Sequence, residues 1–280
     1  MLQELKNALC FKWGSKGRHL RHGYFVAKGK SNRAMEDFAV AETKFIEGHH
    51  MGLFAIYDGH LRHEVAEYLH GNLFTNILKQ PIFWTDPRAA ISQAYLQTDA
   101  YILEKTEELG IGGSTAVTAI VIDNSSAYIA NVGDSRAVLC RAGVATQLTV
   151  DHDPLSEKAH IQGKGGRVTV LPGDVPRVNG QLAVGRAFGD KNLKTLLRVD
   201  PDICCIQIDV TDEFLILASD GLWKVVENQV AVDLVREVKD PKAAAKQLVD
   251  YAIEHDSKDD ISCVVVRFHQ LHSRARPSCF

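Results

Sequence analysis

Residues 51–60 read Met-Gly-Leu-Phe-Ala-Ile-Tyr-Asp-Gly-His, an apolar run that stops at a carboxylate and a glycine. A strand this hydrophobic has no face suited to water, so it is expected to be buried on both sides. The same order of features recurs in Glu213–Gly221 and Ala127–Ser135, where Asp220 and Asp134 follow the apolar runs. The pattern predicts buried strands whose ends carry acidic residues.

Other apolar runs alternate with turn residues in the same way from Gly23 onward. Strands are predicted at 23–28, 38–45, 51–57, 116–123, 126–132, 136–141, 203–208, 213–218 and 261–268. Helical patterns occur at 62–79, 87–109, 155–163 and 227–255. Strand pairs joined by short turns, with helices bunched between them, favour an α+β fold. We expect a central β-sandwich of two antiparallel sheets flanked by helices on both sides, in four layers.

The length and composition are those of one domain, predicted at residues 23–268. A chain of 280 residues, 45% of them hydrophobic, can bury one sizeable core. Residues 1–22 form a basic segment predicted to be an N-terminal arm, and residues 269–280 are predicted to be a tail.

The composition also excludes several classes of protein. A net charge of −3 provides no basic field for binding nucleic acid. The six cysteines include no Cys-x-x-Cys pair, which favours free thiols in a reducing compartment. No apolar run is long enough for a membrane span or a signal peptide. We therefore expect a monomer in the cytoplasm, the nucleus or both.

The carboxylates at the strand ends carry the chemical prediction. A single Asp-Gly is more often a turn than a ligand. Several such strand ends, together with the pairs Glu36-Asp37 and Asp259-Asp260, instead suggest acidic groups gathered at one rim. Like charges at the end of a buried sheet normally persist only around cations. Oxygen ligands without thiolates favour Mg²⁺ or Mn²⁺, and a structural Ca²⁺ site is the alternative.

These segments resemble, in their usual order, the motifs of the type 2C metal-dependent serine/threonine protein phosphatases. The matching segments are Met35–Asp37, Phe54–His60, Gly113–Ala116, Asn131–Arg136, Asp151–Pro154, Leu182–Asp190, Ala218–Trp223 and Asp259–Ser262. The runs at 29–32 and 258–262 are most similar to plant members of this family.

The resemblance implies hydrolysis of phosphoserine and phosphothreonine in proteins. Water activated at a binuclear Mg²⁺ or Mn²⁺ site would attack the phosphate, without a covalent phosphoenzyme. Phosphoprotein substrates are the expected partners, with protein kinases as a further class. Two alternatives remain open: a catalytically inactive member that binds phosphoproteins or regulates a kinase, and a hydrolase of a small phosphorylated metabolite.

The resemblance also implies two cation sites that share Asp58. Glu36 and the main-chain carbonyl of Gly59 would complete one site, and Asp220 and Asp259 would complete the other.

A weaker third site is implied between Asp134 and Asp220. Asp260 is an alternative ligand to Asp259, because neighbouring strand residues face opposite ways and only one of the two should point inward.

His60 and Asp37 are the predicted catalytic residues. His60 would protonate the departing oxygen, and Asp37 would orient water from behind the ligands. The alternative for His60 is a hydrogen bond to a ligand carboxylate. Where much of the family has a phosphate-binding arginine this chain has Asn32, and Arg33 follows it. Arg33 is the candidate phosphate-binding residue, provided that the strand bulges there.

The loop at 167–181 is predicted to form a flap beside the active site. Substrate choice would depend on this loop, because it is the region where the family varies.

Overall fold

The computed structural model describes residues 18–30 and 34–270. Residues 1–17 of the predicted arm, Asn32, Arg33 and residues 271–280 of the predicted tail lie outside the described residues. Residues 269 and 270 of that tail belong to the last strand, which ends at Gln270. β1 begins at Arg18, so residues 18–22 of the predicted arm belong to a strand.

The described residues form strands and helices in the following order. The strands are β1 Arg18–Ala27, β2 Asp37–Ile46, β3 His49–His60, β4 Gly113–Ser114, β5 Ala116–Ile122, β6 Ser126–Val132, β7 Arg136–Arg141, β8 Val144–Gln147, β9 Val168–Thr169, β10 Arg177–Val178, β11 Phe188–Gly189, β12 Asp202–Gln207, β13 Asp212–Ala218 and β14 Ile261–Gln270. The helices are α1 Glu64–Leu78, α2 Pro87–Glu104, α3 Thr106–Leu109, α4 Lys158–Gly163, α5 Asp220–Trp223, α6 Asn228–Val235 and α7 Pro241–Glu254.

Two large antiparallel sheets form the centre of the molecule. The first has five strands in the order β1-β14-β13-β7-β8. The second has seven, in the order β11-β4-β3-β5-β6-β12, with β2 paired to β3. A separate hairpin joins β9 and β10. The antiparallel sandwich predicted from the sequence is therefore confirmed.

Alternation along the central strands produces the four layers. In β3, Leu53, Ala55 and Tyr57 pack in the core shared with α1 and α2, whereas Phe54 and Ile56 pack between the sheets. All five side chains are buried, because a strand in the middle of such a sandwich has two dry faces.

β13 repeats the alternation on the other sheet. Leu215 and Leu217 pack between the sheets, and Phe214 and Ile216 pack in the core shared with α6 and α7. Helices therefore cover both outer faces of the sandwich, as the sequence predicts.

The prediction of one helix over 227–255 is wrong. The structure has two helices in this region, separated between Val235 and Pro241. Proline lacks the N–H that a helix interior needs, and it is favoured at the first helical turn. Asp240 caps the new helix by accepting a hydrogen bond from the Ala243 N–H at 2.9 Å.

The helix predicted at 87–109 also ends early. α2 stops at Glu104, where Lys105 leaves helical geometry with φ −95° and ψ 26°, and the short α3 follows. The short strand β8 was not predicted, because its residues are largely exposed at the sheet edge and show no apolar run. A tight turn at Ala142 and Gly143, both with positive φ, joins it to β7.

Within the described ranges, no helix is both long enough and apolar enough to cross a bilayer.

The packing between the two sheets predicts a large effect of truncating Leu215. Leu215→Ala leaves a cavity among fully buried neighbours, so the free energy of unfolding in urea should fall by about 2–5 kcal/mol. Leu96 on α2 is 51% exposed and is the matched control. Leu96→Ala should change the free energy of unfolding by no more than about 0.5 kcal/mol. Equal effects of the two substitutions would contradict the sandwich packing.

Candidate active site

The acidic residues meet because the strands that carry them end at one edge of the sandwich. β3 and β6 are both antiparallel to β5, so Asp58 and Asp134, which lie at or just beyond their C-terminal ends, share that edge. β2 begins there at Asp37, opposite Asp58. In the other sheet, β13 ends just before Asp220, and its antiparallel neighbour β14 begins just after Asp260. The topology thus brings five separate chain segments to one rim.

Asp58, Asp134 and Asp220 form the centre of this acidic cluster. One carboxylate oxygen from each lies within 4.8 Å of the other two. Burial, reinforced by the neighbouring carboxylates, raises the pKa of Asp58 and Asp134 well above the ordinary aspartate value. Burial also raises the pKa of Asp220, although Lys224 opposes this shift. Burial and mutual repulsion thus disfavour the charged form of the cluster, and a cation beside it would offset both effects.

Asp220 has one orphaned oxygen that fits a cation site. Its Oδ1 is buried and makes no hydrogen bond within the part of the chain that the structure describes. Its Oδ2 contacts the ammonium group of Lys224 at 2.5 Å. A buried oxygen without a partner costs free energy unless a ligand completes its interactions. Because the donors here are carboxylate oxygens, the cluster suits a hard divalent cation.

Asp37 lies beside the cluster and is fixed by a buried hydroxyl group. Ser262 on β14 donates a hydrogen bond from Oγ to Asp37 Oδ2 at 2.6 Å. Burial raises the pKa of Asp37 to about 7, although this hydrogen bond opposes the shift. Asp37 is 5% exposed, and the nearby carboxylates of Asp220 and Asp260 contribute to its raised pKa.

Asp259 and Asp260 have different environments. Asp260 is 9% exposed, and its two oxygens accept hydrogen bonds from the N–H groups of Gly29 at 2.7 Å and Glu36 at 2.9 Å. Asp259 lines the cavity, where its Oδ2 lies 3.0 Å from Lys224 Nζ. Asp260 therefore anchors the backbone, and Asp259 faces the cavity.

Glu36 and Gly59 meet where β3 ends and β2 begins. The Gly59 N–H donates to the Glu36 carbonyl at 3.1 Å. A Cβ at position 59 would lie 2.6 Å from that carbonyl oxygen, so this close approach requires glycine. Both residues line a cavity of about 500 Å³ together with Asp58, Asp134 and Asp220.

His60 also lines this cavity, and its ring is held from behind by Asp190. The distance between His60 Nε2 and Asp190 Oδ2 is 2.8 Å, and the Asp190 side chain is almost completely buried. A Cβ at Gly113 would collide with both groups, which explains the glycine in that motif. Asp190 was not predicted as a partner of His60, although its motif was singled out. The partner is thus an aspartate outside the predicted set of metal ligands.

The flap predicted at 167–181 contains the hairpin β9–β10 beside the cavity. Val175, Arg177 and Gln181 line the cavity from this side. Arg177 is tied within the flap, because its guanidinium donates to Asp174 at 2.8 Å and to the Gln181 carbonyl at 2.9 Å.

Lys224 is a cavity residue that the sequence interpretation did not single out. Burial lowers the pKa of Lys224, but the carboxylates of Asp220 and Asp259 raise it by more, so that it lies above the ordinary lysine value. Its position four residues after Asp220 was the available signal, since side chains at this spacing meet on a helix.

The burial of Asp37 predicts a pH-dependent cost in the metal-free protein. An unfolded aspartate titrates near 3.8, and the pKa of folded Asp37 is about 7. Between these values the folded chain keeps a proton that the unfolded chain has lost, so stability falls as the pH rises through this window. Asp37→Asn removes this cost and should raise the free energy of unfolding at pH 7 in chelator by on the order of 3 kcal/mol.

Near pH 4 the same substitution should have little effect. Asp250→Asn on the exposed face of α7 is the control, with an expected change within about 0.5 kcal/mol at either pH. Urea unfolding at both pH values measures the difference, and an equal gain at pH 4 and pH 7 would refute the assigned cause.

Comparisons with known proteins agree with this architecture. The family model of Protein phosphatase 2C matches residues 22–261. The chain is 55% identical to "Probable protein phosphatase 2C 44" of Oryza sativa subsp. japonica over 96% of this chain and 87% of that protein. It is 53% identical to "Probable protein phosphatase 2C 20" of Arabidopsis thaliana over 100% and 98% of the two chains.

A solved structure shows the same fold. The serine-threonine phosphatase 2C from Toxoplasma gondii superposes with a TM-score of 0.77 and 23% identity, covering 89% of this chain and 94% of that one. The rim of carboxylates, the match over most of the chain and the plant relatives lead to one conclusion. This chain belongs to the protein phosphatase 2C family of protein serine/threonine phosphatases, and it is similar to the plant members.

Proposed function

We propose that this protein hydrolyses phosphoserine and phosphothreonine esters in phosphoproteins at a site that takes two Mg²⁺ or Mn²⁺ ions. The observation that carries the proposal is the convergence of the half-buried Asp58, Asp134 and Asp220, with oxygens within 4.8 Å of one another. The orphaned Oδ1 of Asp220 supports it further, because that atom needs a ligand.

The proposed ligands divide between the two ions around Asp58. Glu36 and the carbonyl of Gly59 would hold one ion, and Asp220 and Asp259 the other; all of these residues line the same cavity. When bound, the cations would neutralise the cluster, polarise the phosphoryl group and lower the pKa of a coordinated water. Asp259 is preferred to Asp260 because both oxygens of Asp260 already accept backbone hydrogen bonds.

Asp134 is the proposed additional ligand for a weaker third ion, together with Asp220. Its half-buried carboxylate lies beside those of Asp220 and Asp58, which supports a cation on that side of the cluster.

His60 is the proposed donor of a proton to the departing serine or threonine oxygen. Asp190 engages Nε2 at 2.8 Å, so Nδ1 is the ring nitrogen left for the substrate. Such a carboxylate partner fixes the orientation of the imidazole ring. Asp37, held by Ser262, would accept a hydrogen bond from the attacking water and orient it towards the phosphate.

Arg33 stays a prediction as the phosphate-binding residue, since it lies outside the described residues. If Arg33 does not reach the phosphate, the metal ions would be the main phosphate ligands. The affinity would then be lower than that of a bidentate guanidinium contact.

The cysteines support the proposed location in the cytoplasm, the nucleus or both. Cys140, Cys204, Cys205 and Cys263 are free thiols in the described part of the chain, as expected of a protein in a reducing compartment.

Loss of Asp58 should abolish metal-dependent hydrolysis. We expect the wild-type protein to release phosphate from phosphoserine and phosphothreonine peptides with Mn²⁺ and to stop in excess chelator. Asp58→Asn should reduce turnover by about 10³-fold or more, since it removes the ligand proposed to be shared by both ions. Asp250→Asn is the control and should keep wild-type activity. Full activity in chelator would refute the metal-dependent mechanism. A preference for small phosphorylated metabolites over peptides would instead favour the alternative of a metabolite hydrolase.

Substitution of Asp259 and substitution of Asp260 should have different effects. Asp259→Asn should increase the Mn²⁺ concentration for half-maximal activity by about tenfold and leave the free energy of unfolding in chelator nearly unchanged. Asp260→Asn replaces one oxygen that accepts a backbone hydrogen bond, so the free energy of unfolding in chelator should fall by about 1–3 kcal/mol. Metal titration of activity and urea unfolding of both variants separate the roles. The reverse pattern would make Asp260 the ligand.

A further inference from the structure

Lys224 is held next to the acidic cluster by the short helix α5. It follows the helix directly, and its backbone N–H donates to the carbonyl of Asp220 at 2.9 Å. Trp223 anchors this turn, because its buried indole donates a hydrogen bond to the Ala218 carbonyl at 3.0 Å. The spacing of four residues turns the lysine side chain back over Asp220.

The ammonium group of Lys224 joins two carboxylates from separate chain segments, Asp220 at the start of α5 and Asp259 in the loop before β14. Nζ lies 2.5 Å from Asp220 Oδ2 and 3.0 Å from Asp259 Oδ2. These two residues are the proposed ligands of one metal ion. Arg177 also lines the cavity, but its guanidinium is paired with Asp174 in the flap. Lys224 is therefore placed where it neutralises the acidic cluster directly.

We propose that Lys224 is a displaceable counter-ion of the acidic cluster, so that a divalent cation enters beside Asp220 and Asp259 by replacing the lysine ammonium. This inference rests on the proposed metal site and adds to it a residue of this chain that competes with the metal.

The exposure of Lys224 makes such an exchange feasible. Its side chain is 52% exposed, so the flexible stem can turn into solvent, where an ammonium group is strongly hydrated. In the metal-free protein the ammonium reduces the repulsion among the carboxylates. In the loaded protein its positive charge opposes the ions. Lys224 thus stabilises the metal-free state and weakens cation binding.

Calorimetric titration of Mn²⁺ into chelator-treated, dialysed protein tests this inference without measuring turnover. Lys224→Met removes the charge and retains an apolar stem of similar length. We expect it to bind Mn²⁺ more tightly than the wild type by about tenfold, because a positive charge beside the ion has gone. Lys224→Gln, a second neutral variant that keeps a hydrogen-bond donor, should also bind more tightly. Lys224→Arg should stay near the wild type.

Lys246 provides a matched control. It forms an ion pair with Asp250 at 2.5 Å and i,i+4 spacing, and its side chain is 53% exposed. Lys246→Met should leave Mn²⁺ affinity unchanged. Thermal unfolding is the second readout: Lys224→Met in chelator should melt about 2 °C or more below the wild type, and Mn²⁺ should raise its melting temperature by more.

These measurements separate this inference from the proposed function. If wild-type protein binds Mn²⁺ and both neutral variants bind it with equal or weaker affinity, Lys224 is not a competing counter-ion and only the inference falls. If neither wild-type protein nor the Lys224 variants bind Mn²⁺, the metal site itself falls, and the inference falls with it. A lysine with a merely structural role would lower the melting temperature with and without metal and would not tighten binding.

Discussion

Mutual repulsion among closely spaced, half-buried carboxylates is the constraint around which this site is arranged. Asp58, Asp134 and Asp220 approach within 4.8 Å at the end of a dry β-sandwich. Burial raises the pKa of each, which means that the folded protein resists charging them. A fold that keeps such a cluster gives up stability in its metal-free state. Cation binding can recover that free energy, and the proposed chemistry depends on it.

The surrounding residues limit this repulsion without filling the cluster. Ser262 satisfies one oxygen of Asp37, and two backbone N–H groups satisfy Asp260. These carboxylates are thereby used to fix the chain. Lys224 faces Asp220 and Asp259 from the open side, where it can leave. The same acidic rim therefore contains groups committed to structure and groups left available for ligands.

Much of this arrangement is predictable from the sequence, because the strands are unusually apolar and Asp58, Asp134 and Asp220 lie at or just beyond the ends of three of them. The antiparallel sandwich followed from the short turns, and the rim followed from Asp58, Asp134 and Asp220 at the strand ends. Which of Asp259 and Asp260 is held by the backbone was not accessible from the sequence, since it depends on which side chain meets the N–H groups of Gly29 and Glu36.

Some features could be found only in the three-dimensional structure, and others were encoded in local residue spacing. The partnership of His60 with Asp190 joins residues 130 positions apart, and no local pattern predicts it. Lys224 was predictable in principle from helical spacing, because it follows Asp220 by one turn. The break before Pro241 was also visible as an Asp-Pro start signal, but the apolar periodicity on both sides obscured it.

The proposed chemistry requires these carboxylates to surround a pair of divalent cations. Anomalous diffraction from crystals of the protein grown with Mn²⁺ would locate such ions. Two strong peaks are expected in the cavity, both in contact with Asp58, one reached by Glu36 and the other by Asp220 and Asp259. A cavity without anomalous density in a saturating concentration of Mn²⁺, or peaks only at surface carboxylates elsewhere, would contradict the proposed metal site.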